Sequence, residues 1–200
     1  KKDRLCHYQL QPKENICFPL DSVTSQLFSA SEYNAQMDVY SFLHRNTLLI
    51  YDYSTQKLKK KIPIQANYPS SYSIINKDTI LVADYNTSSF LLMNDSGSIY
   101  KTLKVNHTIE FYPFPITKTA PIRLENDTII FWGNISGEYI DENEHNRNVM
   151  GFLDLNTLKT SYKVSYPSIY ENNNLGGGLY RWVYACYNPK EKKYIVSFPA

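Results

Sequence analysis

The sequence predicts an all-β, β-propeller-like chain of repeated antiparallel meanders, about four blades in number. Three observations carry that expectation. The stretch Ile74 to Val105 holds three runs rich in β-formers, Thr79 to Ala83, Ser89 to Met93 and Ser98 to Val105. The turn signals Asp84-Tyr85-Asn86 and Asn94-Asp95-Ser96-Gly97 separate them. A phrase of polar Asn, Asp or Lys, then Thr, then an apolar run occurs here at Lys77-Asp78-Thr79-Ile80-Leu81 and recurs at Asn46-Thr47-Leu48-Leu49-Ile50 and Asn126-Asp127-Thr128-Ile129-Ile130. No segment sustains a helical period.

The elements follow in order. Residues 1–14 are charged and punctuated by Pro12, which predicts a loose lead-in or one edge strand. Ile16 to Leu20 reads as a first strand, and Ser22 to Gln36, with few periodic apolar positions, as a loop with at most one helical turn. Met37 to Leu43, Thr47 to Tyr53 and Lys57 to Ile64 then form strands across turns at His44-Arg45-Asn46 and Ser54-Thr55-Gln56. The middle one has the apolar centre of a buried strand, whereas the last alternates Lys with Leu and Ile, as a strand with one wet face does. The central meander follows, introduced by Tyr68-Pro69-Ser70. A connector, His107 to Pro121, carries prolines at 113, 115 and 121 and is unsuited to a sheet centre. The third unit opens at Leu124 with a strand Asp127 to Trp132, then a polar excursion over 135–148, then strands Val149 to Leu153 and Leu158 to Val164. Asp154-Leu155-Asn156-Thr157 between them matches Asp52-Tyr53-Ser54-Thr55 in the first unit. A second excursion, Pro167 to Gly178, precedes a hairpin of Leu179 to Tyr187 and Lys193 to Phe198. Taking Thr47, Thr79, Thr128 and Tyr194 as equivalent, and the excursions as loops, the unit is about 35 to 50 residues, the range of propeller blades. A sandwich or barrel also uses short strands at turn-marked intervals, but rarely repeats one phrase in this way.

Two hundred residues suffice for a substantial core, and the length fits one domain over 1–200. Aromatics reach 14% and tyrosine alone numbers 18, which suits pleated, half-buried surfaces. The formal net charge of +2 gives no warrant for nucleic-acid or anionic-membrane binding. No window approaches the length of a transmembrane helix, and KKDRLCHYQL at the amino terminus lacks an apolar signal core. Cys6, Cys17 and Cys186 form an odd set without a C-x-x-C pair and read as unpaired, partly buried thiols, with a Cys6–Cys17 bridge as the alternative.

Phe18-Pro-Leu-Asp21, Tyr40-Ser-Phe-Leu43 leading into Leu48-Leu-Ile-Tyr-Asp52, and the ending Tyr194-Ile-Val-Ser-Phe-Pro-Ala200 resemble the amino-terminal half of secreted Bacteroidetes lipoproteins of the DUF4221 type. The resemblance implies a six-bladed, TolB- or NHL-like propeller whose ring is completed by further residues or by another chain. It also implies a periplasmic or cell-surface location and a lipid anchor on a removed amino terminus. It carries no catalytic residues.

Propeller ligands bind where inter-strand loops gather. The main candidate is Gly176 to Trp182. Gly177 permits close backbone approach, and Arg181 would grip a carboxylate while Tyr180 and Trp182 stack on a sugar or base. Gly177, Tyr180, Arg181 and Trp182 are therefore the ligand-binding candidates, against the plainer reading of a turn and an ordinary aromatic strand. Glu138, Asp141, Glu142, Glu144 and His145 gather enough carboxylates for calcium or an acid/base pair, yet match no calcium loop and read more simply as a solvated excursion. His107 with Glu110 is a weaker pair. The four histidines share no zinc spacing, and no Gly-x-Ser-x-Gly elbow occurs.

Lys57, Lys59, Lys60 and Lys61 form a basic stripe that suits a solvent-facing edge strand better than an anion site. Trp132 reads as packing rather than a stacking platform. Asp21-Ser22-Val23, Asp78-Thr79-Ile80 and Asp127-Thr128-Ile129 are similar to Bacteroidetes O-glycosylation acceptors, and the last two are equally strand entries. With no catalytic constellation, metal site or cofactor motif, the expectation is a non-catalytic extracytoplasmic module for a glycan, peptide or protein partner. The alternative is a glycan lyase or hydrolase on the same scaffold.

Overall fold

The computed structural model describes residues 15–20, 30–105, 122–132, 148–165, 184–188 and 191–197. They form four antiparallel sheets, each a meander of sequence neighbours, and no helix. The first sheet is β1 (Ala30–Asn34), β2 (Val39–His44), β3 (Thr47–Asp52) and β4 (Leu58–Pro63). The second is β5 (Pro69–Asn76), β6 (Thr79–Asp84), β7 (Ser89–Met93) and β8 (Ile99–Lys104). The third is β9 (Arg123–Glu125), β10 (Thr128–Trp132), β11 (Asn148–Asp154) and β12 (Thr160–Ser165). A two-stranded sheet pairs β13 (Tyr184–Asn188) with β14 (Lys193–Ser197). The architecture is all-β and propeller-like, as predicted.

Side-chain alternation explains the stacking. Ile80 and Val82 of β6 face the first sheet and join Leu43, Leu48, Ile50 and Ile62 in one core. Leu81 and Ala83 face the other way and pack with Ile129, Phe131 and Leu153 of the third sheet. Ile130, Trp132 and Met150 in turn meet Ala185, Tyr194 and Val196 of the last pair. A central strand buried on both faces must be apolar throughout, which is why the run Thr79–Asp84 shows no polar alternation.

The turns repeat more faithfully than the strands. Asp52 accepts hydrogen bonds from the Thr55 backbone N and Oγ1, both at 2.8 Å, and Asp154 does the same with Thr157 at 2.7 and 3.1 Å. Each turn then uses a residue of positive φ, Gln56 (58°) or Leu158 (54°), before the edge strand. The Asp-x-x-Thr turn therefore marks the third-to-fourth strand connection in both sheets. The Asn/Asp-Thr-apolar phrase, by contrast, opens the third strand of the first sheet and the second strand of the next two. Thr47, Thr79 and Thr128 are entries from tight hairpins, not equivalent positions of a repeat. The innermost strands, starting at Ala30, Pro69 and Arg123, define the unit instead.

Other expectations are corrected. Residues 16–20 form no strand. They lie across the first sheet, with Phe18 stacked on Tyr40 at 4.8 Å and Pro19 O accepting the Tyr51 hydroxyl at 3.2 Å. Part of the anticipated 22–36 loop is β1, and Pro69 to Asn76 is a full strand rather than a lead-in. Its serines hid it: Ser70, Ser71 and Ser73 are all buried, and the Ser70 hydroxyl donates to Ala83 O at 3.3 Å. Cys17 and Cys186 are free and exposed rather than partly buried, and Cys6 lies outside the described residues.

Candidate functional site

The first strands of consecutive sheets lie side by side, β1 against β5 and β5 against β9. Each pairs within its sheet on one side only, so its other edge carries backbone groups that need partners. Side chains of β1 supply them. Glu32 Oε2 accepts from Ile74 N at 2.8 Å, Glu32 Oε1 accepts from Ser73 Oγ at 3.1 Å, and Asn34 Nδ2 donates to Ile74 O at 2.9 Å. Residues two apart on one strand face thus close both backbone groups of Ile74. Behind them Tyr72 donates its hydroxyl to Ser41 Oγ at 2.9 Å, and Ser41 Oγ donates to Glu32 O at 3.4 Å. Burial raises the Glu32 carboxyl above its ordinary range, opposed by its bonds to Ile74 and Ser73 and by the charge of Arg123.

Arg123 stands on β9, which meets β10 through the turn Asn126-Asp127, both with positive φ (44° and 59°). That geometry is a two-residue hairpin of the primed kind, for which Asn and Asp are suited. It sets Glu125 opposite Thr128 and leaves Arg123 and Glu125 on one face. Arg123 Nε donates to Glu125 Oε1 at 3.1 Å, and its guanidinium carbon sits 3.8 Å from the centroid of the Tyr187 ring. Tyr187 also hydrogen-bonds Glu125. Its ring lies 4.9 Å from that of Tyr194, which meets Trp132 edge-on at 5.8 Å. The Tyr194 hydroxyl and Trp132 Nε1 are buried with no hydrogen-bond partner among the described residues. Burial drives the Tyr194 phenol far above its ordinary pKa, so it stays protonated and able to donate.

Arg123, Glu125, Tyr187 and Tyr194 therefore make one polar and aromatic group, whose Arg123 charge also reaches Glu32. The Nε of Arg123 is committed to Glu125 and one ring face to Tyr187, while its terminal nitrogens have no partner among the described residues. Such a pre-oriented fork matches a carboxylate in bidentate geometry. Among the described residues no three His, Cys, Asp or Glu side chains converge to hold a metal ion.

Gly177, Tyr180, Arg181 and Trp182, together with Glu138, Asp141, Glu142, Glu144, His145, His107 and Glu110, lie outside the described residues. Trp132 is fully buried, as packing predicts. Thr79 and Thr128 begin strands, and Asp21-Ser22-Val23 lies outside the described residues. Arg123 escaped the sequence reading, although Ile122-Arg123-Leu124-Glu125 alternates charge with apolar residues and so announces a strand with a charged face.

No family model matches the sequence, and no curated protein does. Among solved structures, the chain is similar to a member of the DUF4221 family from Bacteroides vulgatus, with a TM-score of 0.69 and 21% identity over 90% of this chain and 55% of that one. The chain thus spans little more than half the length of that protein, and the likeness is one of fold. Hydrazine synthase from Kuenenia stuttgartiensis (TM-score 0.45, 13% identity, 89% of this chain and 47% of that one) and the computationally designed Ika4 protein (0.46, 8%, 94% and 100%) lie too low in TM-score to add to the assignment.

Proposed function

We propose that the protein is a non-catalytic binding module that takes a carboxylate-bearing ligand, a peptide or an acidic glycan, at Arg123. The observation that carries this reading is the guanidinium held between Glu125 and Tyr187 with its terminal nitrogens unclaimed among the described residues. Orienting an arginine before the ligand arrives lowers the entropy lost on binding. Tyr194 supplies a second polar contact and Tyr187 an apolar wall. Membership of the DUF4221 lipoproteins, and work in the periplasm or at the cell surface, accord with the fold likeness and belong to the same proposal.

The enzymatic alternative would draw on the raised Glu32 carboxyl. Both its oxygens are committed to Ser73 and Ile74, which suits a link between sheets better than proton transfer. A thermal-shift panel of acidic peptides, uronic-acid oligosaccharides and their neutral counterparts tests the proposal. A ligand at a hundredfold its Kd adds about 2.7 kcal/mol to stability. Stabilisation by acidic compounds that vanishes in Arg123→Gln is the expected result. Equal stabilisation of native and variant protein, or by neutral and acidic compounds, would sink the reading.

A further inference from the structure

Alternation gives the first sheet two unlike faces. The side chains that meet the second sheet are aliphatic, among them Leu43, Leu48, Ile50 and Ile62. The opposite face is aromatic: Tyr40 and Phe42 of β2 stand across from Tyr51 and Leu49 of β3, and Tyr53 follows at the end of that strand. Among the described residues, what covers this face from outside the sheet is Phe18. The aromatic surface continues past it to Tyr33, half-exposed, whose ring lies 4.4 Å from that of Tyr53.

Phe18 enters a pocket of three rings, stacked on Tyr40 at 4.8 Å, edge-on to Tyr51 at 5.5 Å and tilted against Tyr53 at 6.1 Å. A residue before proline is confined to extended backbone, so Phe18 and the Pro19 carbonyl are presented together. That carbonyl accepts from the Tyr51 hydroxyl at 3.2 Å. Aromatic-lined grooves take proline-containing peptides by the same means. The segment adds no strand to the sheet, and Cys17, Pro19 and Leu20 around the inserted ring are exposed. One buried anchor between exposed flanks is how a docked peptide sits, whereas a segment built into the core buries its neighbours as well.

We propose that the aromatic face of the first sheet is a recognition surface for an extended peptide carrying Phe-Pro, and that residues 15–20 are its tethered occupant, holding the site closed until a free segment of the same chemistry displaces them. Calorimetric titration of the whole chain tests this with a peptide of residues 15–20 carrying Cys17→Ser. The peptide is acetylated and amidated, so it brings no carboxylate to Arg123. A tethered segment competes at an effective concentration on the order of millimolar, so the Phe18→Ala chain should bind the peptide roughly tenfold or more tighter than the native chain does. The same peptide with Phe18→Ala should bind neither. Adding Tyr51→Phe to the Phe18→Ala chain keeps the ring and removes the hydroxyl that reaches Pro19 O, and should weaken binding about fivefold. No binding to the Phe18→Ala chain at millimolar peptide, equal affinity for that chain and the native one, or affinity unchanged by the peptide substitution or by Tyr51→Phe would each overturn the assignment.

Discussion

Substituting Gly151 by alanine probes the third sheet at its tightest point. Gly151 on β11 pairs with Phe131 on β10, and a Cβ there would fall 2.3, 2.5 and 2.7 Å from the Cζ, Cε2 and Cε1 atoms of the phenyl ring. Real carbon contacts lie near 3.5 to 4.0 Å, so the ring must move by about an ångström. It has little room: Phe131 is fully buried and packs against Phe90 at 5.1 Å. Overpacking of this kind costs about 1–3 kcal/mol, and the confinement of the ring places Gly151→Ala at about 2–3. For a chain of this length that lowers Tm by roughly 5–10 °C. Urea unfolding should show the loss as a lower midpoint with an unchanged slope. In a Phe131→Leu background, where the ring is gone, the same substitution should cost under about 1 kcal/mol. A wild-type cost below about 0.5 kcal/mol, or the same cost in both backgrounds, would refute the pairing of Gly151 with the Phe131 ring.

Three further outcomes follow from named contacts. Asp84, 4% exposed, accepts from the backbone N of Asn67, Tyr68 and Asn86 at 3.1, 3.0 and 3.2 Å, so Asp84→Ala should cost about 3 kcal/mol in urea unfolding, and a loss under about 1 would contradict its role in tying the sheet-to-sheet link to the β6–β7 turn. Burial raises Glu32 above its ordinary 4.5, so the folded state holds that proton more tightly than the unfolded chain; the resulting stability is complete below about pH 4.5 and is lost as pH rises through the folded value. Glu32→Gln should flatten this fall in midpoint denaturant measured from pH 4.5 to 8, and an unaltered slope would assign it elsewhere. Leu158 sits half-exposed at φ 54°, so Leu158→Gly should gain about 0.5–1 kcal/mol as relief of left-handed strain outweighs glycine's entropy, and a loss would mean its side chain packs more than its exposure indicates.

The meander class was legible because β-propensity, turn chemistry and the absence of helical period agree over 37–64, 74–105 and 149–164. The Asp-x-x-Thr turns were legible as a true repeat because the carboxylate and threonine act within one turn and need no tertiary context. β1 and β5 were not, for a physical reason. Innermost strands complete their hydrogen bonding with side chains, so Glu32, Asn34 and Ser73 stand where a strand pattern expects apolar residues. The Arg123 group was hidden because its members are 64 and 71 residues apart in the chain, from Arg123 to Tyr187 and to Tyr194, and only sheet stacking unites them. The β-bulge of β4, where Ile50 pairs with Lys60 and Tyr51 with Leu58 so that Lys59 is left unpaired, was equally invisible, since a register shift leaves no mark in the run Lys57-Leu58-Lys59-Lys60-Lys61.

The most direct test of the account is a crystal structure of the protein with a stabilising acidic peptide or oligosaccharide from the thermal-shift panel. The prediction is a ligand carboxylate within hydrogen-bond distance of both terminal nitrogens of Arg123, with Glu125 and Tyr187 still holding the guanidinium. A ligand seated elsewhere, such as on the Gly177 to Trp182 stretch, with Arg123 untouched, would contradict it.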